Sequence, residues 1–338
     1  MGSEMSGLRS PGGTAHGWHR SNVAERRPWD AAVKTLGGSV LQSWGWGEWY
    51  RHGGVVIERV RVDGPHGTGL AQLLIMPHRP AAEAYLPHGP VLSTEGMTRA
   101  LFTAVDEVCE RYRPLTLTVE PLAPLTGTQE AAPFARREER WCCPSRTMVV
   151  PLLDDESLLQ RMRKKTRQQV RRSERRGIRV EQVTPNAANL MTFYALLDET
   201  ARRTEFDIEP LSYYESFMRH LAEEAILLFA HTEGGVAAGL IITCFGHEAI
   251  AHFGASSTNL RVPGTTAYLY YEAMRLARAR GCTRLDLWGL PDEDPPPVEG
   301  AHPQRSRGGD WRGIQHFKVG LGGDVVAFPP PLERRYAV

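Results

Sequence analysis

A chain of 338 residues that is 41% hydrophobic and 23% charged, with a formal net charge of +1, has the composition of a globular protein able to bury a sizeable core, and its length predicts two domains. The longest apolar stretches, Ala225 to Ala230 and Val236 to Cys244, fall well short of the roughly 20 residues a membrane-spanning helix needs, so no integral membrane segment is expected. Cys109, Cys142, Cys143, Cys244 and Cys282 are odd in number and lack C-x-x-C spacing, which predicts neither a disulfide framework nor a metal site.

Residues 1–22 are rich in Gly, Ser and His with little periodic apolar content, and a flexible N-terminal tail is expected there. Met1 to Thr14 shows no basic flank followed by an apolar run, so the expected location is the cytoplasm. In the next stretch, Val55 to Val62 and Leu70 to Met76 predict strands, Met97 to Tyr112 a helix, and Leu115 to Val119 a strand. A first α/β domain over 23–150 accounts for them. From Leu152 onward come a basic helix, helices over Ala187 to Thr204 and Tyr213 to Glu223, and strands over Ile226 to His231, Ala237 to Phe245 and Ala249 to Gly254. A helix from Thr266 to Arg280 and a strand from Arg284 to Trp288 follow, giving a second α/β domain over 151–318. Met97 to Val119 and Thr266 to Leu287 both run helix, short turn, strand, the mark of a duplicated unit. Asp292 to Gly309, dense in Pro, Gly and charge, predicts an exposed loop.

Arg261-Val-Pro-Gly264-Thr-Thr266 stands after a predicted strand and opens a helix. With the following Arg280-Gly-Cys-Thr-Arg-Leu-Asp286-Leu it resembles the acyl-CoA N-acetyltransferase superfamily, whose turn holds pyrophosphate on backbone N–H groups at a helix N-terminus. Thr266 replaces the small residue that lets a phosphate approach, and Pro263 removes one donor. The resemblance therefore implies the fold, and no cofactor is expected. Between Arg161 and Arg176 nine basic residues face one acid, Glu174. Like charges at i, i+4, such as Arg167 with Arg171 and Arg171 with Arg175, repel, so a polyanionic partner is expected to offset them. No aromatic residue interleaves, which points to backbone phosphates rather than stacked bases; a merely solvated helix is the alternative.

Seven segments carry a wider resemblance. Leu41-Gln-Ser-Trp44-Gly-Trp46-Gly-Glu-Trp49, Tyr85-Leu-Pro-His-Gly89-Pro-Val and Thr118-Val-Glu120-Pro121 lie in the first half. The basic run from Met162 to Gly177, Phe253-Gly-Ala-Ser-Ser257, Asp286-Leu-Trp-Gly-Leu-Pro291 and Phe317-Lys318-Val-Gly-Leu-Gly-Gly323 complete the series. In this order and spacing they resemble the Fem peptidyltransferases that build peptidoglycan cross-bridges, in the compact form without a helical arm. The resemblance implies an α/β fold of two tandem acetyltransferase-like (GNAT) domains with mixed sheets flanked by helices. It places the acceptor on the first domain, completed by 319–338, and the donor, an aminoacyl-tRNA, on the second. The implied reaction joins the amino acid to an acceptor amine, either a cell-wall precursor or a small amine or peptide of secondary metabolism. An acyl-CoA-dependent N-acyltransferase and a non-catalytic RNA-binding module remain as alternatives.

An activated ester needs positioning, oxyanion stabilisation and proton management. The resemblance makes Lys318 the group facing the ester, with Phe317 orienting it; a surface lysine on an edge strand is the alternative. Glu120, at a predicted strand end, is a candidate to take the proton or bind the acceptor. Arg163, Lys164, Lys165, Arg167, Arg171 and Arg175 are the candidate tRNA contacts. Trp44, Trp46, Tyr50, Tyr85 and His247 are the candidate acceptor contacts, Tyr50 and His247 standing where compact relatives place basic residues. Tryptophans at the start of an amphipathic helix are more often core residues, and Asp286, at a strand end, could serve the site, though a buried carboxylate capping the following turn is the favoured reading. His231, His247 and His252 have no metal-ligand spacing.

Overall fold

The computed structural model describes residues 25–76, 82–113, 115–125, 134–140, 142–204, 206–260, 262–290 and 311–337. The expected tail over 1–22, Arg261 and the expected loop over 292–309 lie outside them. In chain order come α1 (Arg26–Thr35), α2 (Trp44–His52), β1 (Val56–Gly64), β2 (Gly67–Met76), β3 (Ala82–Pro87), β4 (Val91–Leu92), α3 (Thr98–Cys109), β5 (Leu115–Glu120) and β6 (Ala135–Arg136). Then follow β7 (Arg146–Pro151), α4 (Asp155–Arg161), α5 (Lys164–Arg175), β8 (Arg179–Val183), α6 (Ala187–Thr204), α7 (Leu211–Leu221), β9 (Ala225–Thr232), β10 (Gly235–Phe245) and β11 (Glu248–Ser256). The chain closes with α8 (Thr265–Ala279), β12 (Arg284–Asp286), α9 (Trp311–Gly320), β13 (Asp324–Ala327) and β14 (Leu332–Tyr336).

These strands make two mixed sheets, ordered β1-β2-β3-β5-β14-β6, with β4 beside β2, and β13-β7-β12-β11-β10-β9-β8. The duplication expected from the sequence is visible in both. An antiparallel run of three strands leads into a helix, α3 or α8, and returns as a strand parallel to the third, β5 on β3 and β12 on β11. Strand membership moves the expected domain limits. β7, whose first residues fall within 23–150, and β13, which falls within 319–338, both pair in the second sheet, while β14 crosses back into the first.

Each sheet buries one face under its own helix. Leu101, Phe102 and Val105 of α3 pack on Leu73, Ile75 and Leu117, and Leu269, Met274 and Ala277 of α8 pack on Leu240, Ile242 and Leu285. The other faces share a third core filled by α2, α6 and α7, where Trp44, Trp46 and Trp49 meet Phe193, Tyr214 and Phe217. α2 starts where it does because Asp30 Oδ1 accepts from Trp44 N at 2.7 Å and Ser43 Oγ accepts from Trp46 N at 3.2 Å, satisfying two first-turn donors. Across the same interface Glu224, buried, pairs with Arg26 at 3.4 Å and Lys34 at 3.2 Å.

Candidate active site between the two sheets

The carboxyl ends of the two parallel strand pairs deliver most of the chemistry. In the first sheet Pro87 lies opposite Glu120, so the chain leaving β3 presents Tyr85 and His88 beside Glu120. In the second, Ile250 lies opposite Asp286, and the chain leaving β12 presents Trp288. The two ends meet through rings: His88 stands 6.1 Å from Trp288, and Trp288 stands 5.6 Å from His252, which is 5.8 Å from Trp46.

Lys318 lies on the helix α9, not on an edge strand. Its Nζ donates to the carbonyl of Gly289 at 2.6 Å and to that of Trp288. Burial pushes this ammonium down to about 8, against the pull of Asp286. Asp286 is itself buried and pushed up to about 6 by desolvation, opposed by the Thr147 hydroxyl, the Trp288 N–H and Lys318. Its Oδ1 accepts from Thr147 Oγ1 and, at 2.6 Å, from Trp288 N. Trp288 has φ +54°, a region tryptophan rarely enters. The Asp286 carboxylate holds that turn, and the turn supplies the two carbonyls on which Lys318 rests. Phe317 meets Tyr270 edge-on at 5.2 Å and packs on the second-sheet core, which anchors α9 beside the site.

Glu120 is 1% exposed. Its Oε2 accepts from the Tyr85 hydroxyl and from Cys143 N at 3.0 Å, and the Tyr85 oxygen lies 3.1 Å from each of Cys142 Sγ and Cys143 Sγ. Burial, with the thiols and Glu120 adding to it, holds the Tyr85 phenol well above its ordinary value. Tyr85 and Glu120 thus close a buried network rather than wall an acceptor cleft. The expectation of no metal ligands rested on spacing along the chain, whereas the fold gathers Glu120, Cys142 and Cys143 within 4.8 Å of one another.

Trp44 and Trp46 are core residues, 3% and 2% exposed. The Arg59 guanidinium lies 3.6 Å from the Trp44 ring centroid, and Trp46 packs against Trp49 and Phe217. Of the expected acceptor contacts, Tyr50 is half-buried, 5.9 Å from Trp46. His247 is exposed in the turn before β11, where its carbonyl accepts from Thr283 N at 2.8 Å. β12 runs from that point towards Trp288, so His247 sits at the far end of the strand pair and does not join Lys318. Sequence reading missed His88, Trp288 and Thr147 as site residues. The only signals were a histidine between two prolines in Pro87-His-Gly-Pro90 and a tryptophan following the Asp286 strand. Burial drives the His88 and His252 imidazoles down to about 3, which keeps both neutral at pH 7.

The basic helix α5 adjoins α9. Arg163 N donates to the Gly320 carbonyl at 3.1 Å, two residues beyond Lys318. Arg163, Lys164, Lys165, Arg171 and Arg175 are exposed. Arg171 pairs with Glu156 at 3.4 Å, Arg163 faces His316 at 3.3 Å, and half-buried Arg167 donates to the carbonyls of Leu159 and Gln160. Among the described residues Lys164, Lys165, Arg172 and Arg175 have no ion-pair partner. The inner side of α5 covers the turn before α8: a Cβ on Gly264, at φ +99°, would meet Gln169 O and Ser173 Oγ at 2.8 Å. Thr265 N already donates to Val262 O at 3.1 Å. The side of this turn that a Cβ on Gly264 would enter is thus occupied by α5.

Residues 160–295 match the family model of the acetyltransferase (GNAT) domain. FemX superposes at a TM-score of 0.78 with 19% identity, over 94% of this chain and 96% of that one. The fold is of the Fem type. The same tandem acyltransferase-type fold superposes on the C-terminal domain of a protein described as lysylphosphatidylglycerol synthetase from Agrobacterium fabrum, with TM-score 0.54, 14% identity and 92% of each chain. L-PGS from Bacillus licheniformis gives 0.51, 15% identity and 91% of each chain. No curated protein matches the chain at the level of sequence. Within the Fem-type fold, Lys318 stands where the basic helix and the meeting ends of the two strand pairs converge.

Proposed function

We propose that the chain is an aminoacyltransferase that takes an amino acid from an aminoacyl-tRNA and joins it to an acceptor amine. The observation that carries this reading is the bond from Arg163 N to Gly320 O, which fixes the start of a helix with unpaired cations against the helix bearing Lys318. A polyanionic strand lying along Lys164, Lys165 and Arg175 would lead its terminus to Lys318. The FemX and lysylphosphatidylglycerol synthetase neighbours favour an aminoacyl over an acetyl group as the moiety moved.

In this reaction the acceptor nitrogen bonds to the ester carbonyl carbon, the carbonyl oxygen becomes anionic, and the carbon–oxygen bond to the ribose breaks. The proton leaving the amine ends on the departing ribose hydroxyl. The Lys318 ammonium opposes the charge that forms only in the transition state. Glu120, engaged by Tyr85 and Cys143, serves the architecture of the acceptor side and not as the base. The tRNA is co-substrate and no cofactor is invoked. With Tyr50 half-buried and His247 at the far end of the strand pair, no basic clamp for a diphosphate forms at those positions, which favours a small amine or peptide over a nucleotide-linked precursor.

Purified protein incubated with a panel of charged tRNAs and candidate amines is expected to consume aminoacyl-tRNA and release an amide. The rival acyl-CoA reading requires coenzyme A at the α8 turn, where Pro263 removes one backbone donor. Thermal stabilisation by coenzyme A with acyl-CoA turnover, and no consumption of any aminoacyl-tRNA, would overturn the proposal.

A further inference from the structure

We propose that Glu120, Cys142 and Cys143 form a binding site for a thiophilic divalent cation, Zn2+ foremost, at the point where the chain crosses from the first sheet to the second. Three ligand atoms of the types zinc prefers lie within 4.8 Å of one another. A tetrahedral zinc with Zn–S of about 2.3 Å and Zn–O of about 2.0 Å has edges between donor atoms of roughly 3.3 to 3.8 Å, so a modest contraction closes the site. The Tyr85 hydroxyl, hydrogen-bonded to Glu120 and 3.1 Å from both sulfurs, lies among the three ligand atoms and moves outward to the fourth position as the metal enters. Cys142 is half-buried while Cys143 and Glu120 are buried, which leaves an entry on one side and a dry wall on the other.

The three side chains supply the donor types such an ion prefers. Each thiol gives up a proton to solvent as its sulfur bonds the metal, and Glu120 adds a carboxyl oxygen. Two sulfurs select zinc over magnesium or calcium. The consequence reaches Lys318 through packing. A Cβ on Gly289 would lie 3.7 Å from Pro144 Cβ, and Gly289 supplies a carbonyl to Lys318. A metal on Cys143 therefore staples the segment that backs the lysine cradle to the end of β5.

The test uses full-length, reduced, metal-stripped protein titrated with Co2+ under argon. A saturable thiolate-to-cobalt charge-transfer band with the visible bands of a tetrahedral centre is expected at one ion per chain, displaced by Zn2+ with release of two protons. Zn2+ should also raise the melting temperature, and chelator should reverse the rise. C142S, a near-isosteric change at the half-buried ligand, is expected to weaken Co2+ binding at least tenfold, and E120Q to weaken it while keeping the charge-transfer band. The other thiol pair, Cys244 and Cys282, serves as the control, since its sulfurs also interact but no third ligand gathers with them among the described residues. A band lost in C244S/C282S and kept in C142S would overturn the proposal, and so would the absence of any saturable band in the wild-type protein.

Discussion

At the scale of single residues, the proposed reaction turns on Lys318. An ammonium aimed at a carbonyl that is neutral when bound and anionic in the transition state acts selectively on the rate, so Lys318→Met is expected to slow single-turnover transfer at saturating aminoacyl-tRNA by roughly 100- to 1,000-fold. A wild-type rate there, with weakened apparent affinity, would leave Lys318 a phosphate-binding residue. Burial puts its ammonium at about 8, and the protonated form is the useful one, so the rate is expected to fall as pH rises through that value. A rate that climbs across the same range would make the neutral amine the active form. Asp286 opposes the burial effect. Asp286→Asn keeps an acceptor for Trp288 N but removes the charge, and the descending limb is expected to move to lower pH; an unmoved limb would deny the coupling. The sequence exposed Lys318 only through resemblance, because nothing local distinguishes it from a surface lysine. Its cradle depends on contacts across about 30 positions of chain, from Trp288 and Gly289. Trp44 and Trp46 went the other way: residue type suggested a binding wall, and the capped first turn of α2 turns both rings into the shared core.

At the scale of elements, α5 has two faces with separate duties. In the proposed function its outer cations meet the tRNA: replacing Lys164, Lys165 and Arg175 by Gln is expected to flatten the salt dependence of tRNA binding by roughly 0.7 per lost single-strand phosphate contact, and an unchanged slope would remove α5 from the RNA site. Arg167 and Arg171 are weaker choices than their charge suggests, since one holds the last carbonyls of α4 and the other pairs with Glu156. Its inner face seals the α8 turn. Gly264→Val combines a left-handed backbone with a 2.8 Å clash against Gln169 and Ser173, and a loss of about 1 to 3 kcal/mol in denaturant unfolding is expected; an unshifted midpoint would show that α5 does not press on the turn. Element type was legible wherever periodicity was long, as in α6, which matches its expected limits, and in β9, β10 and β11. Short strands such as β6 and β13 carry too few residues for a period to show, and they are placed by pairing with distant partners.

At the scale of the whole molecule, the two sheets are joined by one core. Aromatic residues from α2 and α7 interlock there, and Phe217 touches Trp46, Trp49, His252 and Phe253. Phe217→Ala is expected to cost about 3 to 5 kcal/mol and to lower the midpoint of a single calorimetric transition; two separated transitions in the wild-type protein would show that the halves fold independently. The duplication was legible from paired helix-turn-strand segments, whereas strand membership was not, because β7, β13 and β14 are assigned to a sheet only by long-range pairing. That pairing has a consequence for synthesis. β14 lies between β5 and β6 and bonds to both, yet the ribosome makes it some 200 residues after them. Until it emerges, β5 presents an open edge, and the arm that returns from α9 is not yet there to cover it. Placement of the segment that follows Lys318 and closure of the first sheet thus fall late in translation, and a prematurely stopped chain exposes a sticky strand edge for quality control to recognise.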